Sequence, residues 1–266
     1  MIDVNKIYCG NCLDTLKQIG DESIDMVLTS PPYDGLRKYN GYVFDFESIV
    51  KELYRVLKPN CVVVWVVGDA VEDGSETGTS FKQALYFKEV GFNIHDTMIY
   101  EKNSSTFPAR RKGNRYTQIF EYMFVFCKNK LKTFNPIKRK TNYGSHIRRS
   151  NFRQKDGTMS ALKQIQVNDT SNYGNVWLYN TGFMNTTKDK YAFEHPAMFP
   201  EALASDHILS WSNEGDVVLD PMCGSGTVCK MALIHKRSFI GFELSPEYCG
   251  IAQKRLYYEF QQLKLI

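Results

Sequence analysis

Two stretches of this 266-residue sequence hold side chains spaced for chemistry. The first is Asp220-Pro221-Met222-Cys223-Gly224-Ser225-Gly226-Thr227, between a short apolar run and a helical one. Two glycines two positions apart let the backbone pass close to a ligand with no Cβ in the way. A turn leading into a helix presents free N–H groups to that ligand. The loop lacks the third glycine of the dinucleotide fingerprint and the Gly-Lys-Ser/Thr of a phosphate-binding loop. The next apolar run ends at Glu243, about twenty residues on, where a carboxylate can accept from both hydroxyls of a ribose. Glu243 could be a surface acid ahead of a helix begun by Ser245-Pro246, but the loop before it favours the ribose. The pair specifies a ligand that carries a nucleoside, with nothing to support a pyrophosphate.

The second stretch is Thr29-Ser30-Pro31-Pro32-Tyr33, at the end of an apolar run. Two prolines fix φ and withhold two backbone donors, which leaves nearby carbonyls free to accept. Ser30 Oγ and the Pro31 carbonyl can then both accept from one –NH₂ group, while Tyr33 offers a flat face for stacking. A planar base with an exocyclic amine fits such a pocket. In isolation the same residues would make an ordinary turn; beside a nucleoside site, the base pocket is the stronger reading.

These loops need elements to position them, and the spacing of apolar residues predicts which. Strands are expected at Lys6–Cys9, Ile24–Thr29, Cys61–Val67, Asn93–Tyr100, Ile119–Cys127, Asp216–Leu219 and Ser238–Glu243. Helices are expected at Cys12–Ile19, Phe44–Leu57, Ser80–Val90 (with Gly91 as C-cap), Pro200–Trp211, Val228–His235 and Pro246–Phe260. Helices stop at breakers such as Pro59 and Asn60, and the β-branched run Cys61–Val67 reads as a central strand covered on both faces. Strand–helix alternation over this length predicts an α/β fold with a doubly wound, mostly parallel sheet. From Lys128 to about Tyr191 periodicity fades into polar, basic and Asn-rich sequence, which predicts an insert between a 1–127 half and a 192–266 half of one catalytic domain.

Composition narrows the class. With 43% hydrophobic and 23% charged residues the chain can bury a core and is not disordered. The longest apolar run, Cys61 to Val67, is far short of the roughly 20 residues of a spanning helix. The N-terminal residues lack a secretory pattern, and seven cysteines, some inside apolar runs, fit a reducing cytoplasm. The net charge of +4 hides an asymmetry. From Lys102 to Lys155 there are fifteen Lys/Arg and one acid, Glu121, so the rest of the chain carries a balance of −10. Tyr116, Phe134, Tyr143 and Phe152 are interleaved with this basic block, which suits nucleic acid better than a solvated loop. Arg110, Arg111, Lys112, Arg115, Lys138, Arg139, Lys140, Arg148 and Arg149 are the candidate phosphate contacts.

TSPPY followed far downstream by DPMCGSGT resembles the amino-methylating DNA methyltransferases, and the motif order, with the basic variable region between, resembles their β class. The resemblance spans nearly the whole chain except the insert. It implies a circularly permuted Rossmann-like methyltransferase sheet, an inserted target-recognition region, S-adenosyl-L-methionine as cofactor and double-stranded DNA as substrate. A separately encoded cognate restriction endonuclease is the partner the resemblance suggests, to a monomer or homodimer. By the same resemblance Asp220, Cys223, Gly224, Ser225, Gly226 and Thr227 surround the cofactor's methionine part and Glu243 holds its ribose. His195-Pro196-Ala197-Met198-Phe199-Pro200 resembles the segment that helps hold the methionine carboxylate. Gly10-Asn11-Cys12 falls where the family commonly has Gly-Asp beside the adenine, with Asn11 in place of Asp. Ser30, Pro31, Pro32 and Tyr33 would take the flipped base. Ser ahead of Pro-Pro-Tyr and the HPAMFP segment favour cytosine N4, with adenine N6 as the alternative. Methylation at cytosine C5 needs a cysteine nucleophile, in its own family after a proline, and no Pro-Cys dipeptide exists here.

Other readings compete. Cys9-Gly10-Asn11-Cys12 is a CxxC between a strand and a helix, as in thioredoxin-like redox proteins, though it leaves both longer motifs unexplained. No second CxxC or HxxxH is present to complete a metal site. An RNA amino-group methyltransferase would use the same pocket, and a binding module would not need the nucleoside loop. His95, His146, His207 and His235 show no partners at ligand spacing, Trp65 and Trp211 read as core, and Trp177 as core or as the rim of the cofactor pocket.

Overall fold

The computed structural model describes residues 2–32, 44–103, 114–142 and 144–263. The chain separates into two compact units, residues 1–135 with 175–266, and residues 136–174. In chain order the first unit runs β1 (Lys6–Cys9), α1 (Cys12–Leu16), β2 (Ile24–Thr29), α2 (Phe46–Val56) and β3 (Leu57–Val67), then a small hairpin of β4 (Val71–Glu72) and β5 (Ser75–Glu76). It continues with α3 (Thr79–Val90), β6 (Asn93–Lys102) and β7 (Phe120–Cys127). The second unit holds β8 (Lys138–Lys140), β9 (Ile147–Ser150), β10 (Lys163–Gln166) and β11 (Thr170–Asn172). The first unit then resumes with β12 (Val176–Tyr179), a 3-10 turn at Lys190–Glu194, α4 (Glu201–Trp211), β13 (Val217–Asp220), α5 (Thr227–Ile234), β14 (Ser238–Glu243) and α6 (Pro246–Leu263).

The main sheet has the order β1-β14-β13-β2-β3-β7-β6-β12. The first five strands pair in parallel, β7 runs antiparallel to both β3 and β6, and β12 pairs parallel to β6. Val62–Val67 of β3 are all fully buried, as a β-branched central strand covered on both faces should be. Its alternate residues Val63, Trp65 and Val67 share a core cluster with Leu16, Ile49, Val50, Leu53 and Phe87, which come from α1, α2 and α3. On the other face α4 packs against β2 and β3, α5 against β13 and β14, and α6 against β1 and β14. Helices on both faces of a mostly parallel sheet make the doubly wound α/β fold expected from the alternation. No helix among the described residues is long and apolar enough to cross a membrane.

Element ends follow local chemistry. The α2 helix starts later than the pattern suggests because Asp45 caps it, accepting from Ser48 N at 3.1 Å. It yields directly to β3, which begins before Pro59 at Leu57. Helix α1 is shorter than the predicted Cys12–Ile19, while Leu16 and Ile19 still reach the core.

The insert needs correcting. The compact unit is 136–174 and not 128–191. Lys128 belongs to the first unit, its buried ammonium donating to the carbonyls of Tyr54 and Leu57 and to Glu22. Val176-Trp177-Leu178-Tyr179 forms β12 on the edge of the main sheet, a four-residue run hidden in polar sequence. Trp177 is core: it is buried, and its ring lies 4.8 Å from that of His207. Within the second unit, two antiparallel pairs, β9 with β10 and β8 with β11, also went unpredicted, because their residues are mostly exposed and show no buried face.

Candidate active site

Strands β13 and β2 lie side by side and parallel, with Leu219 opposite Val27, yet the chain leaves them for opposite faces of the sheet, through α5 and α2. Ligands of open α/β sheets bind beyond the carboxyl ends of strands at such a reversal. Here those ends are Asp220, which opens the glycine loop, and Thr29, which opens the proline turn. The buried Thr29 Oγ1 donates to Asp220 Oδ1 at 2.8 Å, across 191 residues of sequence. Met222 N donates to the same oxygen at 3.1 Å. Burial pushes the Asp220 carboxyl up to about 7, Glu243 adding to the effect and the two hydrogen bonds opposing it.

The loop needs its glycines. Gly224 has φ +50° and Gly226 φ +78°, in the left-handed region. A Cβ on Gly224 would lie 2.8 Å from His195 Nε2, and one on Gly226 would lie 2.8 Å from Ala252 Cβ. Gly226 is the N-cap of α5, so the loop delivers its backbone to that helix's first turn. Glu243 is buried at the end of β14, its Oε2 accepting from Gly224 N at 2.9 Å and its Oε1 from Ser245 N at 2.8 Å. Burial raises its pKa, against the pull of these amide hydrogen bonds. A carboxylate has about four acceptor positions, so these amides leave room for a further donor. His195 follows the 3-10 turn, accepts from Ala197 N at Nδ1 (3.2 Å) and meets the Tyr248 ring edge-on with centroids 4.4 Å apart. Ser225 Oγ donates to Met198 Sδ at 3.4 Å, which draws the His195–Pro200 segment over the loop.

The other cofactor candidates divide. Gly10 N donates to the Glu243 carbonyl at 2.8 Å, which carries Asn11 to the same edge as Glu243. Asn11 Oδ1 accepts from Leu13 N at 2.9 Å and caps α1. The Cys12 side chain packs in the core and Pro196 is exposed. Cys9 and Cys12 are both free thiols, the first exposed and the second buried, and the buried Cys249 Sγ donates to the Glu243 carbonyl at 3.3 Å. On the target side Ser30 and Pro32 are partly exposed and Pro31 is buried. Tyr33 lies outside the described residues.

Two glycines under a buried histidine, with an oriented carboxylate beside them, thus line one cradle at the carboxyl edge of the sheet. Residues 24–254 match the N6/N4 DNA methylase family. The chain belongs to that family. It is an S-adenosylmethionine-dependent DNA amino-methyltransferase, as both motifs imply. It is 55% identical over 246 residues to the orphan methyltransferase M.BamHII of Bacillus amyloliquefaciens, covering 90% of this chain and 91% of that one. It is 28% identical to the DNA adenine methyltransferase YhdJ of Escherichia coli K12, over 96% of this chain and 83% of that one. Among solved structures, the cytosine-N4-specific PvuII DNA methyltransferase superposes with a TM-score of 0.70 at 20% identity, covering 98% of this chain and 96% of that one. That likeness is one of fold.

The basic candidates of this methylase fall in different places. Lys138, Arg139 and Lys140 on β8, with Arg148 and Arg149 on β9, are exposed on the second unit. Arg139 sits over the Tyr173 ring at 5.9 Å. Arg115 is engaged elsewhere: it donates to the Gly74 carbonyl and pairs with Glu76 at 4.0 Å, on the β4–β5 hairpin. Arg110, Arg111 and Lys112 lie outside the described residues. Thr29 links the two motifs across the sheet, a role that no local sequence pattern marks.

Proposed function

We propose that this methyltransferase modifies the exocyclic N4 of cytosine in a specific duplex site that the 136–174 unit helps to recognise. The observation that carries the pairing of target and cofactor is the Thr29–Asp220 hydrogen bond, which holds the start of the proline turn against the start of the glycine loop. Ser30 ahead of Pro31-Pro32, together with the His195–Pro200 segment, supports cytosine; adenine N6 is the second reading. The name of the relative M.BamHII favours an orphan enzyme over one paired with a cognate endonuclease.

A base in duplex DNA must leave the stack to reach such a turn, at a few kcal/mol, and stacking on Tyr33 would return roughly 1–3 kcal/mol. The amine would donate to Ser30 Oγ and to the Pro31 carbonyl, which turns its lone pair away from the ring and toward the glycine loop. The loop residues Gly224 to Thr227, His195 and Glu243 would hold S-adenosylmethionine, which when bound supplies a methyl group on a good leaving group. The chain's own residues then contribute alignment. The N–H groups of the methylated nitrogen would stay hydrogen-bonded to Ser30 and Pro31 until one proton passed to solvent water.

Methyl transfer from labelled S-adenosylmethionine to mixed genomic DNA, followed by nucleoside mass analysis, tests this. N4-methylcytosine is expected. N6-methyladenine overturns the base assignment and leaves the reaction, whereas label in RNA alone overturns the substrate.

A further inference from the structure

Behind the glycine loop lies a cluster of buried charge that neither motif contains. Arg255 of α6 is fully buried. Its Nη1 donates to the Ser225 carbonyl at 2.9 Å, to Ser225 Oγ at 3.2 Å and to Thr227 Oγ1 at 2.9 Å. Its Nε donates to Asp189 at 2.8 Å, and its Nη2 to Glu201 at 2.7 Å and Thr187 Oγ1 at 3.4 Å. Lys230 of α5 donates to the same Asp189 and Glu201 at 2.8 and 2.9 Å and pairs with Glu259 at 3.2 Å.

The positions of these partners matter. Asp189 precedes the His195–Pro200 segment and Glu201 follows it, so both ends of that segment are tied to the guanidinium that grips the loop. The segment carries the His195 ring that a Cβ on Gly224 would strike. Holding the Ser225 carbonyl also fixes the plane of the peptide leading to Gly226, because that bond does not rotate freely. A planar fork of five donors can serve three chain segments at once; a lysine ammonium at the same place is a point charge. A cluster serving stability alone could be replaced by apolar residues, often with no loss. This one places its donors on the cofactor loop itself.

We propose that Arg255 is a positioning residue for cofactor binding: it sets the spacing between the glycine loop and the His195 segment, and so the shape of the cradle. The inference rests on the cofactor reading of that loop. It concerns affinity for S-adenosylmethionine, with the target-base pocket untouched.

The test is Arg255→Lys in the full chain, which keeps the charge and removes the fork. Calorimetric affinity for S-adenosylmethionine should fall about tenfold, with kcat at saturating cofactor and KM for DNA within about twofold of wild type. Hydrogen exchange of the Ser225–Thr227 amides should quicken in the cofactor-free protein. Asp189→Asn, which lies outside the cradle and weakens the tie on the segment side with little change of shape, should show the same two effects at smaller size, and it serves if the lysine variant fails to fold. Glu259→Gln, which touches only Lys230 in this cluster, should leave affinity unchanged. Unchanged affinity or unchanged loop exchange in the Arg255 variant overturns the proposal, as does an equal loss in Glu259→Gln. Gly224→Ala separates the two levels. If it leaves affinity intact, the cofactor reading of the loop fails; if it weakens binding while Arg255→Lys does not, only the positioning role fails.

Discussion

The molecule uses cationic side chains in two opposite ways. In the first unit Arg255 and Lys230 are buried, fully paired and spent on geometry. In the second unit Lys138, Arg139, Lys140, Arg148 and Arg149 stand in solvent on short strands, in a segment with eight Lys/Arg and two acids. Buried pairs are barely screened, whereas exposed charges feel salt within a Debye length of about 10 Å. One set therefore fixes a shape, and the other stands open to solvent, where the proposed DNA contact would use it. The lesson is that a count of basic residues says little until burial divides them.

Breaking a buried cation gives the largest effect. Burial alone would lower the Lys230 pKa and raise that of Asp189, but the hydrogen bonds of Lys230 to Asp189 and Glu201, and of Asp189 to Lys230 and Arg255, win, so Lys230 stands above its ordinary value and Asp189 below. Lys230→Met leaves Asp189, Glu201 and Glu259 short of a partner and should cost about 3–5 kcal/mol of stability in denaturant unfolding. A loss below about 1 kcal/mol would mean the cluster is no more than a surface network.

A second, smaller effect sharpens the contrast by pH. Asp220 has its folded pKa raised from 3.8 to about 7 by burial. A raised carboxyl binds its proton more tightly in the folded state, so its contribution is full below the unfolded value and is lost as pH rises through about 7. Asp220→Asn keeps the acceptor for Thr29 and Met222 and cannot ionise. Between pH 5 and 8 wild type should lose roughly 2–3 kcal/mol relative to this variant. Parallel stability curves would show that Asp220 titrates normally.

The smallest effect on folding, and the clearest on binding, belongs to the second unit. Arg148→Ala with Arg149→Ala should leave stability within about 0.5 kcal/mol. The slope of DNA affinity against salt should become shallower by about 2, one per lost phosphate contact. An unchanged slope would place the DNA contact elsewhere on the protein.

Much of the site was legible before folding. The glycine loop, Glu243 and the proline turn each announce themselves by local chemistry, and β14 matches its predicted Ser238–Glu243 bounds because an apolar strand between turns leaves little choice. What was missed is nonlocal. Lys230 inside the apolar run Val228–Ile234 was a signal of buried charge, but its partners come from α4, α6 and the segment before α4. Strand β12 was hidden because four apolar residues in polar sequence gain a strand's hydrogen bonds only beside β6.

By itself, then, the sequence determined which loops could do chemistry and which helices and strands flank them, since turn residues and periodicity act within a few positions of one another. Only the tertiary structure decided that Thr29 meets Asp220, that the His195 segment lies over Gly224, and that one arginine near the C-terminal end holds both sides of the cradle. Those pairings depend on strand order and on burial, where a charge or hydroxyl removed from water must find its partner wherever the fold supplies one.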